Sequence, residues 1–251
     1  MAWDDLNGKT ALITGASSGL GKHFAGVLAR CGVHVVLAAR NEAALQNECD
    51  AILASGGQAS FIAMDVTNPV SVGQAFENAR MRFDIIVNNA GISGAGSALD
   101  IEESTWDAVV DTNLKGVFCV AQAGARKMRE DKHGGSIVNI ASILGLRVAG
   151  QVAAYTASKA AVVQLSQALA LEWARYGIRV NALCPGYFET ELNKEFFSSE
   201  AGQALIKRIP QRRLGRLEEL DAPLLLLCSQ AGSFITGATL AVDGGHLVSS
   251  L

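Results

Sequence analysis

Tyr155 and Lys159 stand four residues apart in the stretch YTASK. The chain continues AAVVQLSQALALEWARYG, whose Leu, Val and Trp recur at helical spacing and predict a helix from about Ala153 to Tyr176. Positions i and i+4 share a helix face, so the phenol and the ammonium can point into one volume. A free phenol, with a pKa of about 10, is a poor proton donor at neutral pH. A cation close by favours the phenolate and lowers that pKa, so the pair is expected to exchange a proton with a substrate oxygen. The alternative is a surface Tyr beside a solvated Lys.

A second group of residues has the spacing to bind phosphate. The apolar run TALIT leads into Gly15-Ala-Ser-Ser-Gly19-Leu-Gly21 and then KHFAGVLARCG, which reads as strand, glycine turn and helix. Glycines at such a turn let the backbone approach a pyrophosphate, whose charge the free N–H groups of the helix start favour. The pattern departs from G-x-G-x-x-G, but its place between a first strand and a helix points to a dinucleotide. A tight turn that needs glycine for geometry alone is the other reading. At the end of the second strand, VHVVLAARNEAAL, the position of the acid that binds the ribose hydroxyls of NAD holds Ala39. Arg40 follows, a planar guanidinium suited to a phosphate, with Ser17 and Ser18 as further donors, so the expected cofactor is NADP(H). Arg40 could instead cap the strand and pair with Glu42.

The elements that must carry these residues alternate. TALIT, VHVVLAA, ASFIAM, DIIVNN, SIVNIAS, IRVNALC and TLAVDGG are short apolar runs, separated by stretches of helical period. That alternation predicts an α/β fold, a doubly wound parallel sheet of about seven strands covered on both faces, and a single domain over residues 1–251. The segment from Tyr187 to Arg216 mixes aromatics with charges after the sixth strand and is expected to form a lid over the site. A plain helical excursion is the alternative there.

Composition narrows the function. Of 251 residues 49% are hydrophobic, enough for a large core, and the net charge of −3 offers no basic surface for nucleic acid or an anionic membrane. No apolar run reaches the roughly 18 residues of a membrane span, and the polar, acidic start predicts a cytoplasmic protein. Five scattered cysteines and four histidines lack disulfide or ligand spacing, so no metal is expected.

Taken together, Thr14-Gly15-Ala-Ser-Ser-Gly19-Leu-Gly21, Asn88-Asn89-Ala90-Gly91, Asn113 in DTNLKG, Ser142 in NIAS, Tyr155 to Lys159 and Pro185-Gly186 resemble the short-chain dehydrogenase/reductase family over nearly the whole chain. The resemblance implies a Rossmann-type fold and a catalytic set of Asn113, Ser142, Tyr155 and Lys159. Ser142 would hold the substrate carbonyl, although it could also merely cap a turn. Asn113 would kink the long helix WDAVVDTNLKGVFCVAQAGARKM and relay through water to Lys159, which would also hold the nicotinamide ribose. The cofactor would lie along Gly15, Gly19, Leu20, Gly21, Asp65, Val66, Asn89, Ala90 and Gly91, with Pro185, Gly186, Phe188 and Thr190 flanking the nicotinamide.

The function expected is NADPH-dependent hydride transfer to a ketone or 3-oxoacyl carbonyl, with Tyr155 as general acid/base. The alternatives are an alcohol, sugar or steroid dehydrogenase and a non-catalytic NADP(H) sensor. Ile143, Leu144, Leu146, Val148, Tyr187, Phe188, Leu192, Phe196 and Phe197 in the substrate loops favour an apolar or bulky substrate. An acyl carrier protein is a candidate partner through Arg126, Lys127, Arg129, Arg175 and Arg179, which equally suit helix C-termini. Two long helices, Trp106 to Arg129 and Ala153 to Tyr176, carry more apolar faces than one sheet covers, and a homotetramer is expected.

Overall fold

A computed structural model describes residues 3–79, 81–190 and 194–249. Its strands are β1 (Thr10–Thr14), β2 (His34–Ala39), β3 (Gln58–Ala63), β4 (Ile85–Asn88), β5 (Gly135–Ile140), β6 (Ile178–Pro185) and β7 (Thr239–Val242). All pairings are parallel and the order is β3-β2-β1-β4-β5-β6-β7. The strands expected from the alternation are thus present in a doubly wound sheet. They are continuous apolar runs because a central parallel strand is buried on both faces.

The helices are α1 (Gly19–Arg30), α2 (Glu42–Ala54), α3 (Pro69–Asn78), α4 (Glu103–Val110), α5 (Gly116–Glu130), α6 (Ala153–Trp173), α7 (Lys194–Ser198), α8 (Glu200–Ile206) and α9 (Asp221–Cys228). On one face of the sheet Phe24 and Leu28 of α1, Leu45 of α2 and Leu224 of α9 form a buried cluster with Ile13 and Leu37. On the other, Phe76 of α3, Val120 and Met128 of α5 and Leu169 of α6 pack on Leu12, Ile86 and Ile137. The sheet is therefore sandwiched, and its carboxyl edge is left for a ligand.

The long helix expected around Asn113 is one helical path with a wide turn inside it. Asp111–Lys115 form a π-turn between α4 and α5, closed by the Gly116 N–H on the Asp111 carbonyl. Such turns displace a residue from the regular ladder and collect at functional sites.

The region from Tyr187 to Arg216 holds α7 and α8, so the helical alternative accounts for part of it. Phe197 is buried with its ring 6.1 Å from that of Tyr187, whereas Phe196 is exposed. Phe188 bridges to Gly215, which brings the far end of the segment back to its start. Leu192 lies outside the described residues. No helix of the described residues is long and apolar enough to cross a membrane.

Candidate active site

A cleft of about 810 Å³ opens along the carboxyl edge of the sheet, lined at one end by Arg40 and at the other by Tyr155 and Thr190. Its floor is the glycine turn between β1 and α1. Gly15 has φ +64°, and a Cβ there would lie 2.9 Å from the Ala90 Cα; one on Gly21 would lie 2.3 Å from the Gly15 carbonyl oxygen. These two positions admit glycine only, because backbone occupies the space of any side chain. Asn89 stitches the turn to β4: its Nδ2 donates to the carbonyls of Thr14 at 3.0 Å and Gly15 at 3.3 Å. In return the Thr14 Oγ1 accepts the N–H groups of Asn89 at 2.9 Å and Ala90 at 3.0 Å. Ser18, the N-cap of α1, makes no side-chain cap bond. Ser17, Ser18, Gly19 and Leu20 line the cleft, so the positive end of α1 faces it.

At the end of β2, Ala39 and Arg40 form one wall and Asp65 and Val66, after β3, the next. The Asp65 carboxyl is held below the usual range mainly by the Thr67 N–H, at 2.9 Å, with the Arg40 guanidinium adding a smaller pull. Arg40 thus projects its charge toward this wall. The set suits a phosphorylated dinucleotide: a turn that only glycine fits, a helix start without a side-chain cap, and a guanidinium where an acid would repel a 2′-phosphate.

Tyr155, in the first turns of α6, lines the other end of the cleft. Burial pushes its phenol up from its ordinary value, opposed by a hydrogen bond with the Ser142 side chain. This corrects the expectation that Lys159 pulls the phenol down in the unliganded protein. The spacing of four residues puts the two on one face, but desolvation, which disfavours the phenolate, is the largest influence on the phenol. The Lys159 Nζ lies 5.6 Å from the centre of the Tyr155 ring and donates to the Ile140 carbonyl at 2.7 Å. With no carboxylate partner among the described residues, its ammonium is pulled down to about 8 by burial.

Ser142 follows β5, where its Oγ accepts the Leu144 N–H at 3.1 Å and caps the short turn Ile143–Gly145. The two readings of Ser142 are therefore compatible: the cap fixes the hydroxyl, which also bonds the phenol. Asn113 is fully buried in the π-turn. Its Oδ1 accepts the Ile92 N–H at 2.8 Å, and its Nδ2 donates to the Ile92 carbonyl at 2.9 Å and the Ser158 Oγ at 3.1 Å. Both amide hydrogens are taken, which leaves neither for the relay toward Lys159 that the resemblance implies.

Gly186, Tyr187, Phe188 and Thr190 line the cleft beside Tyr155, whereas Pro185, Gly21, Ser142, Asn113 and Lys159 stand behind its surface. Residues that sequence reasoning passed over include Ile92 and Thr112, which line the wall, and Cys184. The Cys184 thiol sits in the field of Lys159 and is bonded to the Ser142 backbone; burial pushes it up to about 11. Only its place before Pro185 at a strand end could have pointed to it.

Of the three loops expected to select substrate, Ser93 to Ala98, Ile143 to Val152 and Tyr187 to Arg216, the first two meet. The Gly96 N–H donates to the Gln151 carbonyl at 2.8 Å, and Gln151 holds a left-handed φ of 63°. Leu146 and Val148 of the second loop are exposed, as are Ile92 and Leu99, which flank the first. Arg147 donates to the His246 carbonyl, and to the Ser249 Oγ at 3.2 Å, so the segment after β7 is tied to the same rim.

Residues 15–246 match the family model described as enoyl-(acyl carrier protein) reductase. The chain is 40% identical over 248 residues to a gluconate 5-dehydrogenase of Gluconobacter oxydans, covering 97% of this chain and 96% of the relative. It is 35% identical over 244 residues to the 3-oxoacyl-[acyl-carrier-protein] reductase FabG of Escherichia coli, covering 96% and 98%. Among solved structures, a gluconate 5-dehydrogenase of Burkholderia cenocepacia in complex with NADP and tartrate superposes with a TM-score of 0.95 at 38% identity, over all of both chains. A cleft with a glycine floor and, at its far end, a phenol backed by a hydroxyl and an ammonium, in a chain with relatives of this kind, is that of an oxidoreductase of CH–OH and C=O groups, and the protein belongs to the short-chain dehydrogenase/reductase family.

Proposed function

We propose that the protein is an NADP(H)-dependent oxidoreductase that interconverts a ketone and a secondary alcohol, with Tyr155 as the general acid/base. The observation that carries this reading is the placement of Tyr155, bonded to Ser142 and next to Lys159, on the wall of the cleft whose other end presents Arg40. NADP(H), when bound, supplies or accepts the hydride at the carbonyl carbon. Arg40, Ser17 and Ser18 would grip the 2′-phosphate, while the start of α1 and Gly15, Gly19 and Gly21 cradle the pyrophosphate. Asp65 and Val66 would border the adenine, and Asn89, Ala90 and Gly91 the riboses, with Lys159 behind the ribose nearest Tyr155. Gly186, Phe188 and Thr190 would flank the nicotinamide, backed by Pro185.

In reduction, Tyr155 gives its phenolic proton to the carbonyl oxygen and the Ser142 hydroxyl holds that oxygen; in oxidation the proton returns. The charged Lys159 stabilises the phenolate left behind. Its charge acts on an anion that forms only during turnover.

For the substrate, the exposed Ile92 on the cleft wall, with Leu146 and Val148 in the loop joined to it through Gly96 and Gln151, supports an apolar or bulky carbonyl compound. The gluconate dehydrogenase relatives support a second reading, a polyhydroxy acid. A panel of ketones, 3-oxoacyl thioesters, sugar acids and alcohols, followed by nicotinamide absorbance with each nucleotide, separates them. Flat traces on every compound with nucleotide binding retained would leave a sensor. We assign the protein to the cytoplasm and to a homotetramer; an acyl carrier protein is its partner if the thioesters are turned over.

A further inference from the structure

Ser158, the fourth residue of YTASK, is 1% exposed and touches none of the cleft. Its hydroxyl has two partners. It donates to the Tyr155 carbonyl at 2.7 Å and accepts an Asn113 amide hydrogen at 3.1 Å. With its proton committed to Tyr155, the oxygen can only accept from Asn113, which orients that amide. The other two positions of the amide are then both filled by Ile92, through its N–H and its carbonyl. Ile92 lines the cleft, and Gly91 before it passes so close that a Cβ there would lie 3.2 Å from the Asn113 Oδ1 and 3.6 Å from the Lys159 Nζ. One hydroxyl thus joins the backbone of the helix that carries Tyr155 and Lys159 to the wall opposite them, through the side chain of the π-turn.

A second serine two turns along α6 does the same for the sheet. The Ser166 Oγ donates to the Val162 carbonyl at 2.7 Å and accepts from the Asn139 Nδ2 at 2.9 Å, and Asn139 accepts from Asn88 at 2.8 Å. Ser166 seats α6 on β5 and β4, whereas Ser158, through Asn113 and Ile92, seats it on the cleft wall.

We propose that Ser158 is a positioning residue, which through Asn113 sets the separation between the cleft wall at Gly91–Ile92 and the Tyr155–Lys159 pair. The proposal rests on the reading of Tyr155 as the proton donor. Without the Ser158 hydroxyl, Asn113 keeps a buried, unpaired N–H and the amide loses its third anchor; such a loss is expressed where the geometry is most demanding, in the chemical step.

The test is a double-mutant cycle on purified protein with Ser158→Ala, Asn113→Ala and the pair, reading kcat, KM for NADPH and NADPH binding by fluorescence. Ser158→Ala is expected to lower kcat about 10- to 30-fold, the scale on which the loss of one buried hydrogen bond is felt, with nucleotide affinity within about threefold. Adding it to Asn113→Ala should change kcat less than about twofold, because the two act as one unit. Ser158→Thr, which keeps the hydroxyl, should recover most of the rate. If Ser158→Ala does not fold, Ser158→Cys, similar in size but a poor hydrogen-bonding group, carries the same cycle. A wild-type kcat, or losses that multiply in the double variant, would overturn the proposal. An active Tyr155→Phe would instead remove the reading beneath it.

Discussion

The Lys159 ammonium reaches past the Tyr155 ring, 5.6 Å from its centre, to the carbonyl of Ile140 at 2.7 Å. It joins the helix that carries Tyr155 to the last residue of β5, two residues before Ser142. Phenol, hydroxyl and ammonium are thereby referred to one strand end, and each can be removed separately.

Tyr155→Phe deletes the proton and little else. Turnover is expected to fall at least about 100-fold, the scale of general acid catalysis, while NADPH affinity stays within a few-fold. Single-turnover absorbance and fluorescence titration check the two halves. Substantial residual turnover would remove Tyr155 from its role.

Lys159 gives a pH signature. Its folded value of about 8 lies below the ordinary 10.5, so below pH 8 the folded protein bears a buried charge that the unfolded chain holds in water. Between the two values the unfolded chain binds the extra proton, and stability must rise with pH, by roughly 3 kcal/mol in all. Lys159→Met removes that slope. It also leaves the Ile140 carbonyl unpaired, at about 1–3 kcal/mol, so the variant should be about as stable as wild type at pH 7, or slightly more so, yet inactive. Denaturant melts from pH 7 to 10 test this: parallel pH profiles for both proteins would mean that the amine is not buried as a charge.

These relationships were readable to different depths in the sequence. TALIT, DIIVNN and the other short apolar runs mark central parallel strands because burial on both faces leaves no polar alternation. The Tyr155–Lys159 pair was visible because i,i+4 spacing is local, but the sign of the Tyr155 shift was not, since it depends on how much water the tertiary packing removes. Cys184 beside Ser142, and the Asn139–Ser166 bond, join residues far apart in the chain and have no local pattern. The π-turn at Asn113 follows from an amide captured by Ile92, a contact that helix periodicity cannot contain.

The exposed faces bear on assembly. Trp106 of α4, Phe118 of α5 and Leu171 of α6 remain exposed, Leu171 at 84%. Apolar surface on two neighbouring long helices suits a self-complementary interface. Light scattering at micromolar concentration is expected to give four times the 26.3 kDa chain mass, and Phe118→Glu with Leu171→Glu to lower it. A monomeric wild type would sink this assignment.

Arg40 decides between the nucleotides. It lines the cleft beside Ala39, Ser17 and Ser18, and its charge reaches the Asp65 carboxylate across the wall. An exposed guanidinium held near a cleft, with no acid at position 39, can close on a phosphate in a bidentate way. A charge-assisted contact of about 1.5–3 kcal/mol corresponds to a preference for NADPH of roughly ten- to a hundredfold in kcat/KM. Arg40→Ala should lose most of it by raising KM for NADPH while kcat is kept, because the 2′-phosphate is remote from the reacting carbon and contributes equally to ground and transition states. Ala39→Asp with Arg40→Ala should reverse the preference, since a carboxylate there accepts both ribose hydroxyls of NADH and repels the phosphate. Raising salt should weaken NADPH binding more than NADH binding, as the grip is between exposed charges. Equal kcat/KM for the two nucleotides in the wild type would show that Arg40 does not read the phosphate.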